Sequence, residues 1–383
     1  MSTLKVDAIR HNSATSDAIT TASDGTCTAK LTSVAGGPLS NRNLFVNGAC
    51  RIGQRGSTSL GSGYGGVDRW VQFIGGGGAT TTSQDTDVPT GQGFRNSIKL
   101  DVTTALASGS SNWAWLGQYI EAQDCQSVCK GTSNAKQLTL QFWVKSPKTG
   151  THTVRLDVSD SNDGVGATYT VSSANTWEKK TVTFPASTSG TINDDNGRGI
   201  QVFWVLSAGT TYSSGTLNTT WASWTNANTA PGQPNILDST DNNFYLTGVQ
   251  LEVGDTATSF EHRSFGEELL KCYRYYYRLK GENNKTYMIG MSDNDNVNIY
   301  GFFHFPVEMR TAPTALEQNG TAGHYKVRRD TTKSCTAVPS FVDAFTFYAR
   351  VNFPSSGHGW GTGQMLWCQG GSSSSYLGFS AEL

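Results

Sequence analysis

Apolar and polar residues alternate with a period of two along much of the chain, as they do in strands that bury one face. In SIKLDV, for example, Ile98, Leu100 and Val102 fall on one side. The segments with this alternation are 97–102, 138–146, 152–159, 179–185 and 244–254, and Gly, Ser, Asn and Asp separate them. Residues 200–207 are apolar at most positions, which is typical of a central strand. The pattern predicts two sheets packed face to face over residues 43–262, and a jelly roll fits this number of strands.

The first 42 residues have a different character. Residues 4–9 alternate, and 17–31 predict a strand, an Asp-Gly turn and a second strand. Ser, Thr and Gly dominate, so this segment has too few large apolar residues to bury a core of its own. We expect an N-terminal β segment that is ordered only against a partner or against other copies of the chain. Gly36-Gly37-Pro38 predicts a linker after it.

Residues 263–383 predict a linker helix and a small β domain. Ser264 is a candidate N-cap, with Glu267 three residues later as in a capping box. The spacing predicts a helix over 264–280 and places one ring, that of Tyr275, at an edge or a subunit contact. The residues expected to pack this helix between the domains are Leu269, Tyr273, Tyr276 and Tyr277. Strand-like segments at 286–292, 298–306, 344–354 and 375–383 then predict a small C-terminal β-sandwich.

Charge and composition narrow the function. With 29 basic and 30 acidic residues the net charge is −1, so the chain has no overall field to attract nucleic acid or an anionic membrane. We expect no nucleic-acid partner. No apolar run approaches the ~20 residues of a membrane span, and the N-terminus does not resemble a secretion signal, so we expect no membrane insertion and synthesis without export. The seven cysteines are scattered, which favours free thiols.

The usual catalytic motifs are missing from the sequence. The six histidines form no HxxxH or HxH pair, and the glycines 75–78 lack the Lys-Ser/Thr of a phosphate loop. We therefore expect no catalytic residue and no cofactor. Acidic turns at 157–164 and 193–197 carry oxygen ligands suited to a structural Ca²⁺, although ordinary Asx turns explain them equally. Paired carboxylates for sugar hydrolysis are set by space rather than by sequence, so an enzyme stays an alternative.

Tryptophan provides the candidate binding residues. The chain has ten, several of them in polar surroundings. The six candidates for receptor or glycan contact are Trp113, Trp115, Trp143, Trp221, Trp224 and Trp360. Exposed indoles beside polar side chains can stack on sugar rings. The alternative is that these rings cover sheet edges or lie at subunit contacts.

Several motifs occur together in one order. They are NLFVNGACRIGQRG (43–56), GGVDRW (65–70), LTLQFWVKS (138–146), TWEKKTVTFP (176–185), the passage from 244 to 276, FPVEMRTAPT (305–314) and the terminal GFSAEL. This set resembles a family of phage and prophage virion proteins, the tail fibres and related appendages. The first thirty residues resemble a segment shared by structural proteins of marine phages.

The resemblance implies a jelly roll similar to carbohydrate-binding modules, a distal β domain and a homotrimer. It further implies a tail fibre on the virion. The N-terminus would bind other tail or portal-adaptor proteins, and the distal part would bind host-surface glycans. No catalytic residue carries over from the family. Two alternatives remain: a capsid-attached fibre or decoration protein, and an enzyme that degrades surface polysaccharide.

Overall fold

The computed structural model describes residues 6–10, 12–13, 15, 18–29, 38–107 and 109–383, and it is nearly all antiparallel β. The strands up to residue 253 are β1 (Ala8–Ile9), β2 (Ile19–Thr21), β3 (Cys27–Ala29), β4 (Thr58–Leu60), β5 (Gly63–Tyr64), β6 (Val71–Gly75), β7 (Ala79–Asp85), β8 (Ser97–Thr104), β9 (Trp113–Glu121), β10 (Leu138–Lys145), β11 (Gly150–Val158), β12 (Asp163–Val171), β13 (Glu178–Phe184), β14 (Arg198–Ala208), β15 (Ala222–Ser223) and β16 (Asn243–Val253). The later strands are β17 (Tyr276–Lys280), β18 (Thr286–Ser292), β19 (Ile299–His304), β20 (Leu316–Glu317), β21 (Tyr325–Arg328), β22 (Thr332–Ser334), β23 (Ser340–Ala344), β24 (Tyr348–Asn352), β25 (Met365–Gly370) and β26 (Tyr376–Ser380). The helices are α1 (Thr210–Ser213) and α2 (Phe265–Tyr273), with 3-10 turns at Ala122–Val128, Asn226–Asn228 and Ala322–His324.

Strands β4 to β16 form two sheets that share one core. The six-stranded sheet has the order β13-β10-β16-β8-β7-β4, and the seven-stranded sheet has the order β15-β12-β11-β14-β9-β6-β5. Their facing side chains form one apolar cluster. It includes Trp70 and Trp204, whose ring centroids lie 5.7 Å apart. The predicted alternation is confirmed in β8, where Ile98, Leu100 and Val102 are buried in this cluster. The face-to-face sandwich is therefore confirmed.

The N-terminal segment is a small sheet of its own, β1-β2-β3. The Asp24-Gly25 turn joins β2 to β3, and Gly25 takes a φ of +85°, a backbone conformation that glycine adopts without strain. Ile9 is half exposed, in keeping with a segment that has no core. Part of the first predicted strand and Gly36-Gly37 of the predicted linker lie outside the described residues.

The prediction of a helix over 264–280 is wrong in its second half. Helix α2 begins as expected, since the Ser264 hydroxyl accepts from the Glu267 backbone N–H at 3.2 Å, but the helix ends at Tyr273. Tyr276 and Tyr277 lie instead on β17, which pairs with β26 near the C-terminus. Aromatic residues fit a pleated strand well, and the pairing partner becomes available only in the folded chain.

The individual positions around α2 also need correction. Leu269 and Tyr273 are half buried beside Tyr277, whereas their neighbour Leu270 is 48% exposed. Tyr275, expected at an edge, is 2% exposed. Its ring lies under the Arg69 guanidinium at 3.6 Å, and its hydroxyl donates to Glu121 at 2.7 Å.

Strands β17 to β26 form a second region with its own core. A three-stranded sheet, β17-β26-β20, adjoins a seven-stranded sheet of order β22-β21-β25-β18-β19-β24-β23. Their buried side chains form a separate cluster around Phe353 and Phe379, against which Tyr277 packs by stacking on Phe303 at 5.2 Å.

Buried charges join this second region to the sandwich. Glu382, 4% exposed, pairs with Arg69 and with Arg55, and Arg55 also pairs with Glu317. The buried Glu121 accepts from Arg274 at 2.6 and 2.9 Å. Removing one member of such a buried pair lowers the stability of the fold strongly, because the other charge is left uncompensated in a low dielectric.

Candidate functional site

The outer face of the sandwich's seven-stranded sheet is lined with aromatic rings. Strand β9 is buried along its whole length, with Trp113, Trp115 and Tyr119 on the outer face. Phe203 of the neighbouring β14 joins them, with its ring centroid 5.5 Å from that of Trp115. These side chains belong to an apolar cluster separate from the sandwich core.

Two parts of the chain cover this face. On one side lies the segment from Gly209 to Ala230, in which Tyr212 stacks on Trp113 at 5.0 Å and Trp224 packs edge-on at 6.3 Å. On the other side lie the C-terminal residues, where the Leu383 carbonyl accepts from the Tyr64 hydroxyl at 2.8 Å. Tyr275 and Leu383 therefore belong to the same apolar cluster as the sheet's aromatic rings.

Beside the first of these covers, the segment from Gly209 to Ala230, a cleft of about 280 Å³ remains open on this face. Its lining residues are Trp113, Trp115, Asp157, Val158, Ser159, Asn162, Asp163, Gln201, Phe203 and Trp224. Trp224 forms one wall, where its indole N–H donates to Asn226 at 2.6 Å and the Arg155 guanidinium lies 4.9 Å from its ring. Because a hydrogen bond and a neighbouring cation fix the ring, Trp224 is a preformed wall of the cleft.

Acidic and amide groups line the cleft beside the rings. Asp157 accepts from Arg155 at 3.0 Å, and burial raises the pKa of Asp157 to about 6 in spite of that partner. Gln201 lies opposite Asp157 in the β11–β14 register. Among the described residues no hydrogen-bond partner is found for the Gln201 or Asn162 side chains, so both amides are available to a ligand.

Asp163 at the mouth of the cleft is held differently. The buried Lys130 ammonium lies 2.7 Å from the Asp163 carboxylate. The Ser161 hydroxyl donates to the same carboxylate at 2.6 Å. The turn between β11 and β12 is further tied down by Asp160, which accepts from the Asn193 backbone and side chain at 2.9 and 3.0 Å. Carboxylates in both predicted acidic turns thus have protein donors as partners, and in the second turn Asp195 accepts from the Gly197 N–H.

The structure brings together three of the six predicted tryptophans. Trp113 and Trp115 line the cleft with only 8% of each residue exposed, while Trp224 is half buried. Trp143 lies on β10 of the other sheet and is half buried. Trp221 donates to the Pro185 carbonyl at 2.7 Å and lies under the Lys130 ammonium.

Trp360 needs a correction. It is one of the six candidates for receptor or glycan contact, yet only 7% of it is exposed. Its ring stacks on His358 at 5.2 Å, and its indole N–H donates to Asp330 at 2.9 Å, so the ring is packed within the domain.

Sequence reasoning missed Phe203, Gln201 and Asp157 as members of the site. A signal was present for the first two, because residues 200–207 are apolar on both faces and Gln201 interrupts the run. For Asp157 the sequence showed only an acidic turn. Its position beside the rings depends on the antiparallel pairing of β11 with β14.

Metal ligands and membrane spans were also sought. No group of three or more His, Cys, Asp or Glu side chains is placed to hold a metal ion within the part of the chain that the structure describes. The six cysteines that the structure describes as free thiols are Cys50, Cys125, Cys129, Cys272, Cys335 and Cys368. Among the described helices none has the length and apolarity to cross a membrane.

Comparison with known proteins gives distant structural likenesses. No family model and no curated protein matches the chain. The enzymatically active domain of tailspike protein 4 from bacteriophage CBA120 aligns with 55% of this chain at 13% identity and a TM-score of 0.28, and the aligned part spans 21% of that chain. A family 11 carbohydrate-binding module from Clostridium thermocellum, in complex with a β-1,3-1,4-mixed-linked tetrasaccharide, aligns with 54% of this chain and 98% of its own at 13% identity and a TM-score of 0.26. The CBM22-1 xylan-binding domain from Paenibacillus barcinonensis aligns with 59% of this chain and 100% of its own at 11% identity and a TM-score of 0.26. Similarity this low establishes neither family nor function.

Proposed function

We propose that the chain is an adhesive virion protein that binds glycans through the cleft on the seven-stranded sheet of the sandwich. The observation that carries this proposal is the composition of the cleft, which combines aromatic rings with unpaired amides and carboxyl groups. Ligand sites combine apolar walls with a few placed polar groups in this way. A sugar ring offers the matching surfaces, with an apolar C–H face for an indole and hydroxyls for Gln201, Asn162 and Asp157.

The collinear motifs of the sequence support the wider role. They resemble tail fibres and related appendages, so we place the protein on the outside of a phage particle as a homotrimer made in the host cytoplasm. None of the residues between 6 and 40 whose burial the structure describes is buried, which suits a segment that pairs with other virion proteins by strand addition. A capsid location fits the same features, and immunogold labelling or cryo-EM of the particle distinguishes it from the tail.

Glycan binding is tested with the purified full-length chain on an array of neutral oligosaccharides. Trp224→Ala removes a cleft wall that is half buried, so we expect at least a tenfold loss of affinity, about 1.4 kcal/mol. Trp143→Ala is the matched control, since Trp143 is also half buried but lies on the other sheet. Gln201→Ala should weaken binding as well, because it deletes a free amide from the cleft.

Two results would refute glycan binding at the cleft. One is the absence of binding to any glycan on the array by the intact chain. The other is equal binding by the Trp224 and Trp143 variants, which would move the site elsewhere. Circular dichroism of each variant checks that the sandwich is still folded.

Hydrolysis of the bound glycan is a second candidate, and one observation favours it. Two carboxyl groups, Asp157 and Asp163, line the same cleft, and the raised pKa of Asp157, about 6, suits a proton donor. Against it, Arg155 and Lys130 hold the two groups in ion pairs. Incubation of a bound glycan with the protein decides, because new reducing ends that Asp157→Asn abolishes would make the protein an enzyme.

A further inference from the structure

The outer face of the C-terminal seven-stranded sheet is apolar and open to solvent. On its three central strands, β25, β18 and β19, five large apolar residues are between 48% and 66% exposed. They are Met365, Trp367, Ile289, Met291 and Phe302. Exposed apolar side chains are common singly, but a continuous group of them marks an interaction surface.

The strand register makes this group continuous. Ile289 pairs with Trp367, and Met291 pairs with Met365, across β18 and β25. On the other side of β18, Phe302 lies one position beyond the Gly290–Gly301 pair, beside Ile289. Side chains directly opposite in such pairs have Cβ atoms ~4.5–5.5 Å apart, so these rings and chains touch along the face.

The same strands are apolar on their inner face too. In β18 the buried Met288 precedes the exposed Ile289. In β25 the buried Leu366 and Cys368 lie on either side of the exposed Trp367. An antiparallel sheet with one solvated face normally shows polar residues there, whereas strands apolar on both faces are typical of sheets covered on both sides. The residues that the structure describes cover only the inner face.

Charges lie around the apolar centre rather than within it. Arg328 flanks Trp367 on one side, with its guanidinium 6.0 Å from the ring. On the other side Arg350 pairs with Asp343 at 2.7 Å, and both are partly exposed. An apolar centre with a charged rim of both signs is the layout of a protein–protein interface.

We propose that a second copy of this chain covers this face, packing its own sheet face against it. The five central side chains expose ~500 Å², taking ~200 Å² for each large side chain. A symmetric contact between two copies therefore buries ~1,000 Å² in total, which reaches the size expected of a specific interface.

A second copy suits this face because the contact is between like surfaces. Two sheets pack face to face at ~10 Å when both inner faces are apolar. In a symmetric contact each copy presents the same patch, so apolar centre meets apolar centre and each rim places both an arginine and an acid within reach of the other copy. This contact joins copies in pairs, so it goes beyond the homotrimer of the proposed function, and it is independent of glycan binding.

The first test measures the mass of the full-length chain by light scattering. We expect a multiple of 41.1 kDa for the intact chain, and dissociation at least tenfold easier for Met365→Lys and Trp367→Lys. Leu270→Lys is the matched control, because Leu270 is 48% exposed on α2 and should leave the mass unchanged. A monomeric intact chain overturns both self-association and this face, whereas multimers unaffected by the face variants overturn the face alone.

The second test detects the contact directly, even where the N-terminal segment also holds copies together. A photo-crosslinking residue placed at Trp367 in the full-length chain should give covalent dimers on irradiation, and one placed at Phe265 should give none. Phe265 is 51% exposed, close to the 48% of Trp367. Absence of cross-linked dimers at Trp367, or equal amounts at both positions, overturns the proposal.

Discussion

The chain contains two seven-stranded sheets, and they differ in what lies on their outer faces. In the sandwich, the segment 209–230 and the C-terminal residues cover much of the face, and a cleft lined by aromatic rings remains open. In the C-terminal region, the described residues leave the corresponding face uncovered, and five of its large apolar residues are about half exposed. Strands apolar on both sides need a second cover in each case. The first sheet obtains it within the chain and has a ligand-sized opening, while the second depends on another molecule.

The largest effect is expected from removing the Glu382 carboxylate, which pairs the C-terminal residues with the sandwich. Glu382→Ala leaves Arg69 and Arg55 buried without their shared partner, which should lower the free energy of unfolding by about 3–5 kcal/mol. The change in the free energy of unfolding is measured by urea denaturation, with tryptophan fluorescence as the signal. A loss below ~1 kcal/mol would mean that the cover is held by something other than these ion pairs.

A matched pair of phenylalanines tests the comparison itself. Phe203 on the covered face is 1% exposed, and Phe302 on the open face is 51% exposed. Phe203→Ala should cost about 3–5 kcal/mol, as for a buried ring. Phe302→Ala should change the free energy of unfolding by about 0.5 kcal/mol or less when measured in dilute, dissociated protein. Equal losses would show that the two faces are buried alike.

The pH dependence of stability tests the carboxyl group in the cleft. Burial raises the pKa of Asp157 to about 6, above the ~3.9 of an unfolded aspartate, so the folded state binds more protons between these values. The free energy of unfolding should therefore fall as the pH rises from ~4 to ~6 and be level above that. The contribution of Asp157 is about 1–3 kcal/mol.

Because other carboxyl groups titrate in the same range, the quantity to compare is the difference between the intact chain and Asp157→Asn. That difference should change across the window from pH ~4 to ~6. If it stays constant, Asp157 has an ordinary pKa and the cleft is wetter than its geometry indicates.

The smallest effect is expected at the rim of the open face. The Arg350–Asp343 pair is 36% and 46% exposed, and exposed pairs contribute about 1 kcal/mol or less. Asp343→Asn should therefore leave the free energy of unfolding nearly unchanged, in contrast to Glu382→Ala. A loss of several kcal/mol in dilute protein would show that this rim is already buried in the single chain.

The predictability of the fold and of the site differed by element. The alternation in residues 97–102 and 138–146 predicted strands β8 and β10, because a period of two is a local property. In β10 the polar positions Thr139 and Gln141 are buried as well, which the pattern did not predict. The N-cap of α2 followed from Ser264 and Glu267 for the same reason. The end of that helix was not predictable, because residues 276–280 join a strand whose partner lies near the C-terminus.

The site shows the same limit. Trp113, Trp115 and Trp224 were candidates by composition, but the same argument selected Trp143, Trp221 and Trp360, which the structure places elsewhere. Phe203 and Asp157 join the cleft only through strand pairing. Residue type suggests what a side chain can contact, and distance in the fold decides what it meets.

By itself the sequence determined the β class, the position of most strands, the separate character of the first 42 residues and the near-zero net charge, since each depends on residues close together in the chain or on composition alone. Tertiary structure alone decided which tryptophans share a cleft, where Tyr275 and Glu382 are buried, and which sheet face is left open. Those features depend on contacts between residues such as Arg69 and Glu382, which are far apart in sequence and brought together only when both cores have formed.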